Sequence, residues 1–199
     1  VAMPVPDRSS ALLPAGDRWT AADLDNLPDN GIRYEVLNGQ LIVNAAPKPR
    51  HQEVLTWLLI ALTSAMPPGH WVLPGVGVLI GDDEPIPDLI AGKGPVEKDD
   101  RGVRPDQVLL AVEIVSASTT LQDRMVKPAV YAEAGIPNYW RIEANSFKGR
   151  LPGETVPVLF AHALGDNGEY ELTHRVAAGE PATLHSPFEL TIDPATLLR

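Results

Sequence analysis

Apolar and polar positions change period several times along this chain, and each change predicts an element. Val54, Leu55, Leu58, Leu59 and Leu62 in "RHQEVLTWLLIALTSA" recur at helical spacing and predict an amphipathic helix over residues 50–65. Pro67-Pro68-Gly69 stops it. Upstream, "RYEVLNGQLIV" alternates around Asn38-Gly39, the signature of a hairpin with a type I′ turn. "WTAADLDNLP" predicts a short helix capped by Thr20 with Asp23 at its third position. "HWVLPGVGVLI" reads as one strand, residues 81–85 as an acidic turn, and "PDLIAG" as a short strand opened by Pro87.

Residues 92–107 read as a charged loop, followed by the apolar strand "VLLAVEIVS". "SASTTLQDRMVKPAVYAEAG" is helical in pattern, with Pro128 predicting a kink or a helix start nearby and Gly135 ending the helix. "NYWRIE" is the next strand, and the remainder predicts hairpins, one turning at Asp166-Asn167-Gly168. The last strand–helix–strand unit is expected to be a right-handed parallel crossover.

Composition narrows the class. At 199 residues, 44% apolar and 21% charged, the chain fits one globular domain over residues 18–199 behind a disordered leader at residues 1–17. Without Cys it can build neither disulfides nor thiolate metal sites. No apolar run reaches a membrane-spanning length, and "VAMPVPDRSS" does not read as a signal peptide, so a soluble cytoplasmic protein is expected. The net charge of −10 argues against non-specific attraction to nucleic acid, while leaving room for a local basic groove or a metal bridging acids to phosphate.

Glu113 changes the picture most, because an isolated carboxylate within an apolar strand is costly unless something compensates its charge. A salt bridge to Arg141 would satisfy it, and so would a metal. Asp88 opens another apolar strand. Its rival, Asp106, falls on the same extended stretch as Glu113, about 23 Å away at seven strand residues, too far to share an ion. Asp88 can lie beside Glu113 if their strands are neighbours, although an Asp at a strand start also serves as a hydrogen-bond acceptor. Two close carboxylates suit Mg²⁺ or Mn²⁺. Lys127 is the first lysine after Glu113 and could supply electrostatic stabilisation, or could be a solvated helix residue paired with Asp123 at i,i+4.

The stretch "PDLIAG … LLAVEIVSASTTLQDRMVKPAVYAEAGIPNYWRIE" resembles the PD-(D/E)XK nuclease superfamily. More closely it resembles a bacterial family of restriction endonuclease domains that was once a domain of unknown function. The resemblance takes in "RYEVLNGQLIV", "PRHQEVL", "VGV" and "PFELTID", and covers about residues 19–198. It implies an α/β fold, a restriction-endonuclease-like mixed sheet flanked by helices, with an N-terminal hairpin and a C-terminal β extension. It further implies Mg²⁺-dependent hydrolysis of DNA, with Asp88 and Glu113 as metal ligands and Lys127 as the catalytic lysine. The superfamily's lysine normally stands two residues after the second acid, where this chain has Val115; the closer family resembles this chain in displacing it into the following helix. His51, Glu35, Glu53 and Asp123 are accessory candidates, Glu53 having a favourable interaction with its helix dipole as the simpler role. His162, His174 and His185 lack compact ligand spacing. A homodimer would suit the two strands of a duplex. The alternative function is a catalytically silent relative of the fold that binds nucleic acid or protein.

Overall fold

The computed structural model describes residues 13–116 and 120–199. Most of the expected leader therefore lies outside the described residues. Thr20 caps a 3₁₀ turn at Ala21–Asn26, and the Asp23 carboxylate accepts from the Thr20 N–H at 2.8 Å. The hairpin β1 (Arg33–Leu37) and β2 (Gln40–Asn44) follows, with Asn38 and Gly39 both at positive φ, as a type I′ turn requires.

Helix α1 (Pro49–Ala65) buries Val54, Leu58 and Leu62, with Leu55 and Leu59 packed partly against the same core. Burial of each such side chain contributes about 1.5–3 kcal/mol. The expected single strand after it is divided: β3 (His70–Pro74) ends, the chain turns at Gly75 with φ 61°, and β4 (Gly77–Val78) leaves the sheet. There β4 pairs in parallel with β6 (Gly102–Val103), so the charged loop also contains a short strand.

A six-stranded mixed sheet forms the centre. Its order is β10 (Tyr170–Ala177), β9 (Val158–Leu164), β8 (Asn138–Glu143), β7 (Val108–Val115), β5 (Leu89–Lys93), β3. Only β7 and β8 run parallel, joined through the helical segment that ends in α2 (Lys127–Glu133). One sheet face packs Leu110, Val112, Ile114, Trp140 and Ile142 with the α1 stripe. The other packs Ile90, Ala111 and Tyr139 with Tyr131 and Ile136. The C-terminal extension does more than append hairpins: β9 and β10 complete the central sheet, while β11 (Ala182–Leu184) and β12 (Leu190–Ile192) pair separately.

Pro128 explains an irregularity before α2. Proline has no N–H to give the carbonyl four residues back, and a π-helical turn at Gln122–Val126 precedes it, with the Lys127 N–H donating to Gln122 O. Gly135 ends α2 at φ 75°.

Candidate active site

Asp88 and Glu113 are brought together because β5 lies beside β7. Pro87 leads into the strand, and the Asp88 carboxylate caps its neighbour: Oδ2 accepts from the Ile114 N–H at 2.7 Å. The same oxygen lies 3.1 Å from His51 Nε2, carried on the first turns of α1. His51 and Asp88 are both largely buried, their side chains 15% and 14% exposed.

Glu113 lies in the interior on the α2 side of β7, only 2% exposed. Tyr131 Oη donates to its Oε1 at 2.7 Å, and Lys127 Nζ lies 3.1 Å from that oxygen. Lys127 is buried, so the solvated-lysine reading fails: its ammonium also meets Glu35 Oε2 at 3.1 Å and donates to Ile86 O at 3.3 Å. Glu35 in turn accepts from the Ile86 N–H at 2.8 Å and from Asn44 Nδ2 at 2.5 Å. The hairpin is thereby tied to the site, and the peptide leading to Asp88 is held on both sides.

Charge in this enclosure is unbalanced. Burial pushes the Glu113 carboxyl well above the usual carboxylate range; Lys127 opposes the shift, while Asp123, Asp88 and Glu35 reinforce it. Burial alone would pull the Lys127 ammonium down, yet Glu113, Glu35, Asp123 and Asp88 outweigh it and hold the group cationic above its ordinary range. Burial and the neighbouring Glu113 likewise keep the Tyr131 phenol protonated, able to donate.

Bonds to the two acids converge on one oxygen of each. Asp88 Oδ1 and Glu113 Oε2 accept no hydrogen bond from a described residue, whereas Oδ2 and Oε1 each serve two partners. Among the described residues no cluster of three or more Asp, Glu or His is set to hold a metal ion. The oxygens of these two acids left without a donor from a described residue are thus Asp88 Oδ1 and Glu113 Oε2, the hard ligand type that divalent cations such as Mg²⁺ take.

The other candidates separate clearly. Asp123 is buried within reach of the site's charges, and its backbone carbonyl accepts from Tyr139 Oη. Glu53 does not join. It lies beyond the first turn of α1, and Oε1 accepts from the Arg199 N–H at 2.8 Å. Asp106 is not on the Glu113 strand; it belongs to a 3₁₀ turn at Pro105–Gln107 and pairs at the surface with Arg104 at 3.0 Å. Arg141 is the cross-strand neighbour of Glu113 yet pairs with Glu143 at 3.2 Å. Of the later histidines, His162 packs on Tyr139, and His174 and His185 lie away from these acids. The sequence pattern does not single out Tyr131, although it stands four residues after Lys127 and so shares its helix face.

Residues 21–195 match the Uma2 family, described as "Putative restriction endonuclease". No curated protein matches the chain. Among solved structures, it is similar to a protein from Anabaena variabilis ATCC 29413 described as a putative nuclease belonging to DUF820. Identity is 17%, over 89% of this chain and 96% of that one, with a TM-score of 0.66, which establishes a shared fold. With a match running over residues 21–195 of its 199, this chain belongs to the Uma2 family.

Proposed function

We propose that this protein is a metal-dependent endonuclease that hydrolyses phosphodiester bonds in DNA. The observation carrying the reading is that Asp88 and Glu113, on neighbouring strands, each keep one carboxylate oxygen without a described donor, Oδ1 and Oε2, while the buried Lys127 ammonium lies against Glu113. Asp88 and Glu113 would hold Mg²⁺ or Mn²⁺, which when bound supplies Lewis-acid activation of water and neutralises phosphate charge.

The chain's own groups divide the remaining work. Lys127 stays cationic, so it cannot accept a proton; its three N–H groups already meet Glu113, Glu35 and Ile86 O, so it acts on the phosphate through its charge, stabilising negative charge gathering on the non-bridging oxygens. Water oxygen bonds to phosphorus and releases its proton to solvent, the bond to the leaving oxygen breaks, and the leaving oxygen takes a proton from solvent, so the net change is addition of one water across the bond. His51, joined to Asp88 at 3.1 Å, is placed to fix that carboxylate. Glu35 and Tyr131 are positioning residues: Glu35 anchors Lys127, and Tyr131 fixes one Glu113 oxygen so that the other is presented.

A silent fold relative has one observation in its favour, since Lys127 already meets Glu113 and Glu35 without an added cation. Calorimetric titration with Mn²⁺ and a plasmid-cleavage assay decide between them. The nuclease reading requires binding and cleavage in the wild type and loss of both in Asp88→Ala. Two copies related by a two-fold axis would address both strands of a duplex. Light scattering showing an active monomer only would overturn that assembly.

A further inference from the structure

The basic residues of this acidic chain are unevenly placed. Arg124, Arg141 and Arg175 gather around two phenylalanines: Arg141 and Arg175 lie 4.5 and 4.9 Å from the Phe160 ring, and Arg124 5.7 Å from that of Phe147. The two rings meet edge-on at 5.8 Å. Arg175 also donates to Gly149 O at 2.9 Å, so exposed Lys148 and Arg150 flank the same cluster. These five cations are nearly a third of the chain's 16 basic residues.

Their internal acids are too few. Buried Glu143 is shared by Arg124 at 2.8 Å and Arg141 at 3.2 Å, and Glu154 serves Arg175 at 2.6 Å. Arg141 Nε is buried and makes no hydrogen bond of good geometry. Three guanidinium groups with two carboxylates leave donors turned toward solvent, their side chains 18–25% exposed. Burial lowers the Arg141 pKa; Tyr139 and Glu143 oppose the shift, while Arg124 and Arg175 add to it.

Position relates this strip to the acids. Arg141 and Glu113 are paired residues of parallel neighbouring strands, about 4.8 Å apart in the hydrogen-bonding direction. Successive phosphates advance by about 3.4 Å per nucleotide along one strand of a duplex. The two edge-on rings are already covered by arginine, so the strip offers charge and hydrogen-bond donors in place of a base-stacking platform.

We propose that Arg124, Arg141 and Arg175, extended by Lys148 and Arg150, form a phosphate track that holds the DNA backbone flanking the cleaved bond. This rests on the nuclease reading for its substrate, while the track itself is an anion site with its own chemistry. Guanidiniums held by aromatic faces are pre-organised for phosphate contacts; Arg175, whose Nε and Nη2 already grip Glu154 and Gly149 O, contributes its remaining Nη1 group, and such contacts position the strand without reading its sequence.

The test uses a duplex oligonucleotide with Ca²⁺ for binding and Mg²⁺ for cleavage, across a salt series. The inner variant is Arg124→Gln/Arg141→Gln. The outer variant, Lys148→Ser/Arg150→Ser, alters exposed residues and guards against misfolding of the inner one. Lys98→Ser/Arg104→Ser removes equal charge from the distant loop as a control. Each duplex phosphate that is no longer neutralised should flatten the slope of log K against log salt by about 0.9, so each track variant should fall by nearly two units and the control by almost none. KM should rise about tenfold with kcat changed less than about threefold, because the track holds ground and transition states alike. If the wild type cleaves while the track variants keep its slope and KM, the track is wrong and the nuclease reading survives. If it binds through the track without cleaving, the reading fails and the track stands. Absence of both binding and cleavage overturns both.

Discussion

Two adjoining strands carry opposite charge problems. On the β7 side, Glu113, Glu35, Asp123 and Asp88 bear on one buried ammonium, Lys127. On the β8 side, Arg124 and Arg141 converge on one buried carboxylate, Glu143, with Arg175 close by. Neither group balances itself, yet each is mostly withdrawn from water. The first has acidic oxygens to spare and suits an added cation; the second has donors to spare and suits an added anion. A phosphodiester arriving with a divalent metal would supply both deficits at once. A net charge of −10 therefore does not exclude a local site for an anion, because nearby charges dominate the potential at that place.

Removing the acids should have the largest effect. Asp88→Ala and Glu113→Ala are each expected to reduce Mg²⁺-dependent cleavage by at least about 10³-fold, on the scale of losing a principal electrostatic element. Circular dichroism should stay native. Undiminished cleavage by the purified double mutant would remove both acids from the chemistry.

Next in size is the loss of the buried cation. Lys127→Ala should lower single-turnover cleavage at saturating Mn²⁺ by about 10²–10³-fold. It should also cost about 3–5 kcal/mol of metal-free stability, since it strands buried carboxylates without their partner. Added Mn²⁺ should recover part of that stability by replacing the missing positive charge, visible as a larger metal-induced rise in Tm than in wild type. Lys127→Arg should not restore turnover, because a planar fork cannot occupy the ammonium's position between Glu113 and Glu35.

A smaller effect concerns pH. Lys127 and Tyr131 both engage Glu113 Oε1, so a proton on this raised-pKa group belongs on Oε2, the oxygen proposed for metal. Metal binding must displace it, and Mn²⁺ affinity should fall by up to about tenfold per pH unit below the folded pKa of Glu113. The stability sign follows from the same direction. A folded pKa raised above the unfolded value of about 4.3 gives a contribution fully present below that value and lost as pH rises through the folded one. Metal-free Glu113→Gln cannot ionise there, so its urea midpoint should gain on wild type between pH 5 and pH 8. A constant difference across that range would refute the assignment of the proton to Glu113.

The smallest effect is the most discriminating between the two Pro-Asp sequences. Asp106→Ala removes a surface carboxylate paired with Arg104 and should leave cleavage within about twofold, as surface pairs contribute little. A large loss would return the rival aspartate to consideration.

Much of this arrangement was legible in the chain, for identifiable reasons. The α1 stripe, the Asn38-Gly39 hairpin and the Gly135 stop depend on local periodicity or backbone preference, which neighbouring residues alone express. Glu113 announced itself because an acid in an apolar strand carries an energetic cost wherever that strand lies. The long apolar stretch after α1 was divided by a turn at Gly75, since alternation cannot reveal whether successive strand segments keep the same partner. What surrounds Glu113 was set by distances across the fold. Ion pairing with Arg141 was reasonable from their strands, but Glu143 on the same strand as Arg141 competes for it, and Lys127 descends from α2 instead. Glu35, 92 residues from Lys127 and only an accessory candidate by sequence, reaches its ammonium because the hairpin docks on the site. Glu53, closer in sequence to His51, turns away toward the C-terminus. Charge and periodicity thus determined which residues needed partners. Only tertiary structure could choose those partners, because a carboxylate's energy depends on what lies within a few ångströms, and that neighbourhood is assembled from distant parts of the chain.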